Sequence, residues 1–424
     1  MINKIILFFT VLITMSAVAQ KQQASPYSFF GFGNNIPSKT IEESLMGGVG
    51  ASFSDPLHLS FSNPASLSGL RFTTYAIGTS NYQSSISDNT IKQKSSAFTL
   101  SYLALGFPVG KKIGVTGGLR SKTGVGYNLQ QNYDAVGTES KGVYSYEGEG
   151  GTSTLFLGFG YEVFKGLSLG LEAGYVFGTI DNTVTQEQDD LLYDIRYRTK
   201  NTLRGFDTKF GVNYQAKMST KHMLGLGLVF LKSKDISVQE SKRLYKGLFN
   251  GIDVESIISS LPEVVTNNSG IVNPVNTTLA LGYGELSKWN TSVELSFNKA
   301  MSFYGSALEN NTKSVTFTDY KRISVGGYYI PKFNSITNYF SRVVYRAGIK
   351  YEDLGMQVGG TQIKDFGMSF GVGLPMGKGL SDLNVGFEYG KKGELTTSLV
   401  EEKYFNLKLS FSLGDKWFRK RKID

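Results

Sequence analysis

The sequence predicts an all-β protein, a transmembrane antiparallel β-barrel of about fourteen strands, and three observations predict it. The first is a two-residue alternation that recurs to the end of the chain. In the clearest segment, Leu167, Leu169, Leu171, Ala173, Tyr175 and Phe177 interleave with Ser168, Gly170, Glu172, Gly174, Val176 and Gly178. Successive side chains of a strand point to opposite faces, so this segment has one apolar face and one small or polar face. The second is the start of the chain, where Met1-Ile2-Asn3-Lys4 precedes an apolar run from Ile5 to Ile13 and then Ala17-Val18-Ala19. That order of charge, apolar run and A-x-A site marks a secretion signal. The third is composition: 50 of 424 residues are Gly and 13% are aromatic. Small inward residues and aromatic girdles give a barrel this bias.

Taken in order, residues 1–19 are the expected signal peptide, cleaved after Ala19. From 20 to 69 the alternation is absent, and Pro26, Pro37, Pro56, Pro64 and Gly47-Gly48 break the chain into loops and short helices. Thr40 to Leu45 fits one or two helical turns, with Ser38 or Thr40 as cap. From 70 to 414 the strands come in pairs. Upward strands are expected near 70–83, 112–129, 166–180, 222–238, 290–304, 342–353 and 381–390. Downward strands are expected near 95–107, 151–164, 202–216, 276–287, 318–330, 362–375 and 403–414. Links near 108–112, 164–166, 287–289 and 376–380 are short, whereas 181–201, 239–275 and 391–402 are long. Outer-membrane barrels have short periplasmic turns and longer outside loops, so both termini are expected in the periplasm. The last strand sets Phe405, Leu407, Leu409, Phe411 and Leu413 against Asn406, Lys408, Ser410 and Ser412. A basic periplasmic tail, 415–424, follows it.

The inward faces carry Glu172, Glu294, Arg346, Lys350, Glu388 and Lys408, which need partners or water and are expected to cross-brace the lumen. The net charge of +9 comes with no nucleic-acid module, so basic residues facing lipid phosphate or loop ends account for it. With no Cys there is no disulfide and no lipoprotein acyl site. The chain has two His: His58 before the barrel and His222 near a short turn. Neither has a nucleophile-and-base setting or metal-ligand spacing, so no enzyme and no cofactor is expected. The acid pairs Asp189-Asp190 and Glu401-Glu402 fall in outer links, solvated or bridged by divalent ions to lipopolysaccharide.

The stretch Ser44 to Pro56, with Gly47, Gly48, Gly50 and Asp55, and then Phe61-Ser62-Asn63-Pro64-Ala65-Ser66-Leu67, resembles the FadL-type transporters of long-chain fatty acids and hydrocarbons. The resemblance implies a fourteen-stranded barrel plugged by a small N-terminal hatch, here 20–69. Gly47, Gly48, Asp55, Asn63, Pro64 and Ala65 then fall at the hatch and ligand gate. It further implies hydrophobic ligands that bind beside the hatch and leave sideways at a kink in the third strand. Gly117, Gly118 and Gly124 are the kink candidates there, since Gly or a bulge breaks strand pairing.

The largest link, 239–275, holds Leu248, Phe249, Ile257, Ile258 and Leu261. Val254 to Leu261 fits a short amphipathic helix before Pro262, either a patch that gathers ligand or partner, or a helix packed on its neighbours. The expected function is passive transport of fatty-acid-like hydrophobic molecules across the outer membrane. The alternative is a FadL-like barrel that binds protein partners in a type IX-like secretion or assembly complex. A continuous apolar tunnel beside the hatch favours the first; a blocked lumen with an exposed apolar loop favours the second.

Overall fold

The computed structural model describes residues 23–87, 92–134, 141–189, 191–250, 253–308, 312, 315–377, 380–395 and 399–415. The signal segment and residues 416–424 of the tail lie outside the described residues. Ahead of the wall sits one short strand, β1 (Asn34–Asn35). The wall then runs up and down through β2 (Thr73–Ser87), β3 (Lys92–Val109), β4 (Ile113–Asp134), β5 (Lys141–Phe164), β6 (Leu167–Gln188) and β7 (Asp194–Lys217). β8 (His222–Ser233) continues past Lys234-Asp235 into β9 (Ile236–Asn250). β10 (Asp253–Ser260) returns through β11 (Val264–Val272) into β12 (Asn276–Glu285). β13 (Trp289–Asn298) is extended by β14 (Ser302–Tyr304), and β15 (Val315–Phe317) leads into β16 (Tyr320–Tyr329). β17 (Val344–Val358), β18 (Thr361–Met376), β19 (Ser381–Lys392) and β20 (Glu401–Asp415) complete the wall.

Counting each continued strand once, fourteen antiparallel strands close into a barrel, with β20 paired to β2 from Thr73–Asp415 to Ser87–Glu401. The alternation sets the faces. On β6, Leu169, Leu171 and Phe177 are exposed to the outside, whereas Ser168, Gly170, Glu172 and Gly174 are buried inside. Pairing of the last strand with the first closes the wall, as a span without water requires.

The structure corrects two expectations about the long links. Regions 181–201 and 239–275 are largely strand, because β6, β7 and β9 keep pairing far beyond the apolar belt. Residues 254–261 do not form a helix. They belong mainly to β10, which hydrogen-bonds to β9 from Asp253–Asn250 to Ser260–Tyr245.

The inward charges brace the lumen as expected. Glu172 meets Arg120 at 2.5 Å and Lys209 at 3.2 Å, and Glu388 meets Lys350 at 2.8 Å and Lys408 at 2.5 Å. One acidic pair reads differently. Glu402 points inward, fully buried, accepting from Ser25 Oγ at 2.5 Å and Tyr82 OH at 2.8 Å. Adjacent strand residues face opposite ways, so Glu401 alone faces outward.

Candidate functional site

Residues 23–69 lie inside the barrel, and their backbone polar groups need partners there. A helical turn, Ile41–Ser44, begins at a Thr40 capping box: Glu43 N donates to Thr40 Oγ1 and Thr40 N donates to Glu43 Oε2. Gly47 and Gly48 follow at φ +70° and +85°, a conformation that favours glycine. Gly47 is held from both sides, donating to Ser369 Oγ at 2.8 Å and accepting from Arg322 at 2.9 Å. Glu294 of β13 then collects three donors: Lys39 Nζ and the backbone N–H groups of Gly50 and Ala51, both at 3.2 Å.

The Asn63-Pro64-Ala65 motif ties the plug to the opposite wall. Asn63 Nδ2 donates to Ala51 O and to Val212 O of β7, each at 2.9 Å, and Asn63 Oδ1 caps the short turn Pro64–Gly69 through Ala65 N at 3.0 Å. Beneath this turn the wall carries a lane of glycines. Gly114, Gly160, Gly170 and Gly211 stand side by side in register on β4 to β7. A Cβ on Gly114 would lie 1.9 Å from Leu67 O, on Gly170 2.2 Å from Ala65 N, and on Gly211 2.0 Å from Asn63 Oδ1. Much of the inward glycine is thus the footprint of the plug.

Asp55 sits apart from this motif and serves His58, for which the sequence showed no catalytic or metal-binding setting. His58 Nδ1 lies 3.0 Å from Asp55 Oδ2, and Nε2 lies 2.6 Å from Asp382 Oδ2 of β19, so the ring clamps the plug to the wall. Burial alone would lower the His58 pKa, but the two carboxylates outweigh it and hold the imidazolium well above its usual range. Burial would likewise raise Asp55, and the His58 charge overrides it downward. The His58 contribution is therefore complete below the ordinary imidazole range and is lost as pH climbs through the raised folded value. The Asp55 contribution is lost only as pH falls through its depressed value. His58→Gln is expected to destabilise the protein by about 2 kcal/mol at neutral pH. In thermal melts across pH, the gap between the parent and this variant should close only at alkaline pH; a constant gap would remove the charged clamp.

The wall is incomplete at one seam. β3 pairs with β2 as far as Lys92, and β4 pairs with β5 as far as Asp134, but β3 and β4 pair only from Val109–Ile113 to Tyr102–Arg120. Beyond Arg120 the β4 register shifts between Ser121 and Thr123, and β1 of the plug takes the vacated edge, pairing Asn34 with Gly124 and Asn35 with Thr123. Gly124 thus sits at the seam, whereas Gly117 and Gly118 lie within the intact β3–β4 ladder.

Inside the seam is a cavity of about 390 Å³. Its lining includes Ser80, Thr99, Ser101 and Ser121 at the seam, with Lys39, Lys122, Lys209, Arg322, Glu294 and Glu388 deeper in. Beside it, Phe32, Val125, Tyr127, Val176, Leu203 and Ile271 pack into a closed apolar cluster.

At the long-strand end, Leu248, Ile257, Ile258 and Leu261 are exposed; the Phe249 side chain lies outside the described residues. Ile257 and Ile258 are neighbours on one strand, yet they are 49% and 50% exposed, as are Val264 and Val265 at 59% and 49%. Ile257 and Ile258 sit at a bulge in β10, but Val264 and Val265 are paired to β9 in unbroken register on β11 and so face opposite ways, which leaves the β9–β11 extension bare on both faces. Among the described residues β10 pairs with β9 alone, leaving its other edge open.

The fold is shared with solved channels at low identity. The Pseudomonas putida toluene transporter TodX superposes with a TM-score of 0.61 at 15% identity, covering 90% of this chain and 99% of that one. The CymD monoaromatic hydrocarbon channel gives 0.56 at 13% identity, covering 92% and 100%. A Pseudomonas aeruginosa FadL homologue gives 0.55 at 13%, covering 90% and 98%. No curated protein sequence matches the chain. The likeness to FadL-type barrels therefore holds at the level of fold. The family shown by sequence is another: residues 1–424 match the family described as BamG, and the chain belongs to the BamG family.

Proposed function

We propose that this barrel resides in the outer membrane and acts through protein contacts, as a component of a secretion or assembly complex. The observation that carries this reading is the pairing of a blocked, charged lumen with a bare apolar hairpin. A hydrophobic solute gains less from a cavity whose apolar lining, Ile36, Phe61, Leu231 and Phe317 among it, is interrupted by Lys39, Lys122, Lys209, Arg322, Glu294 and Glu388, since its driving force is removal from water into wholly apolar surroundings. The β9–β10 hairpin has the opposite character. Its exposed apolar side chains, those of Val264 and Val265 on the two faces of the adjoining β11, and the open edge of β10 suit a partner that covers the patch or adds a strand.

A second reading, passage of a hydrophobic molecule with lateral release, is favoured by the β3–β4 seam and by the hydrocarbon channels that share the fold. In it the Gly47–Gly48 and Asn63-Pro64-Ala65 segments would form the gate and Gly124 the kink.

Native mass spectrometry on the full protein, extracted gently from its own membrane, separates the two. The expected result is a stoichiometric protein partner that is lost in Ile257→Asp/Leu261→Asp while the barrel stays folded, read by heat-modifiable gel migration. A monomer carrying a hydrophobic small molecule would overturn the partner role.

A further inference from the structure

Around the long-strand end, basic side chains stand on the outward face one strand step beyond the apolar belt. Lys364 follows Phe366 on β18, Lys391 follows Tyr389 on β19, and Lys403 follows Phe405 on β20. All six side chains are exposed. Arg204 beyond Phe206 on β7 and Lys232 beyond Phe230 on β8 repeat the arrangement on the far side. An apolar belt with aromatic girdles marks hydrocarbon depth, so the next outward residue lies at headgroup level.

The collar is densest over β18, β19, β20, β2 and β3. Lys391 is directly opposite Lys403, Lys403 is opposite Ser85, and Ser85 is opposite Lys94. Lys364 is diagonal to Lys391, whose cross-strand partner is Phe366. Like charges directly opposite one another destabilise a sheet unless an anion lies between them. Glu401 supplies part of that, at 2.6 Å from Lys391 and 3.0 Å from Lys403. Asp353, opposite Lys364, accepts from Gln362 Nε2 at 2.5 Å. The row remains cationic, and in its centre Ser85 Oγ is buried without a hydrogen-bond partner. Directly below it, Phe370, Phe387 and Phe405 form a ladder on the outer wall, with ring centroids 5.8 and 5.4 Å apart.

We propose that this row, Lys364, Lys391, Lys403 and Lys94 with Ser85, binds the phosphate groups of a phosphorylated glycolipid in the surrounding leaflet, with its acyl chains on the aromatic ladder. The charges meet phosphate oxygens, the hydroxyl donates one hydrogen bond, and the rings cover hydrocarbon. This site is independent of whether the hairpin binds a partner.

The test uses the full-length protein in detergent, with three probes: bisphosphorylated lipid A, its dephosphorylated form, and inorganic phosphate. The parent should bind bisphosphorylated lipid A. The variant Lys94→Ser/Lys391→Ser/Lys403→Ser should bind it on the order of a hundredfold more weakly, at roughly fivefold per lysine. Lys165→Ser/Lys288→Ser, at the short-turn end, should bind as the parent does. Heat-modifiable migration checks that each variant is folded. Equal binding by the triple variant, equal binding of the dephosphorylated lipid, or equal loss in the short-turn variant would each overturn the site. Displacement by millimolar inorganic phosphate would show that the row takes free phosphate instead of lipid, and would overturn the proposal equally.

Discussion

Replacing Glu294 by alanine is expected to loosen residues 38–52 of the plug while leaving the wall standing. The carboxylate is buried and is the shared acceptor for Lys39 and for the backbone N–H groups of Gly50 and Ala51. Removing it strands a largely buried ammonium and two amides, a loss of about 3–5 kcal/mol for a broken buried pair. The wall does not depend on that side chain, because β13 pairs with β12 and β16 through its backbone along its length. Hydrogen exchange should therefore accelerate in residues 38–52 and stay slow in β12, β13 and β16. Glu294→Gln, which keeps an acceptor oxygen for the amides but not the charge opposite Lys39, should fall between the two. Unchanged exchange in 38–52 would mean that the plug is pinned elsewhere.

The wall was legible because alternation is a local property. Leu171 outside and Glu172 inside are decided by position along one strand, and fourteen such segments with alternating link lengths define a barrel. The contacts of the inward residues were not legible. Glu172 is recognisable as an inward charge, but its partners Arg120 and Lys209 come from other strands, and no spacing announces them. His58 was set aside for the same reason: one of its two carboxylates, Asp382, lies 324 residues away. The 254–261 segment failed differently. Positions 254, 257, 258 and 261 satisfy a helical period, so local pattern pointed to a helix. Pairing with the long β9 edge overrode it, as tertiary context commonly does for short apolar runs. The Asn63-Pro64-Ala65 segment was legible as a motif, but its bonding to Val212 and the glycines beneath it emerged only from the closed barrel.

Those glycines make the second large prediction. Gly170→Val should exclude the plug from its seat, because a Cβ there meets the Ala65 N and Pro64 C backbone atoms, both at 2.2 Å. The clash is with backbone on both sides, in a wall held by its neighbours Gly160 and Gly211, so no side chain can swing away to relieve it. Overpacking of this kind costs about 3 kcal/mol, and displacing the turn also breaks the Asn63 hydrogen bond to Val212 O of the wall. β-branched valine is otherwise well suited to a strand, so the substitution acts on the plug and not on the wall. Gly117→Val is the matched control: a Cβ there approaches no atom closer than 3.4 Å. Limited proteolysis in detergent reads the outcome. Gly170→Val should expose 23–69 to cleavage while β2 to β20 stay protected, and Gly117→Val should digest like the parent. Equal protection of 23–69 in both variants would mean that the glycine lane is not what seats the plug.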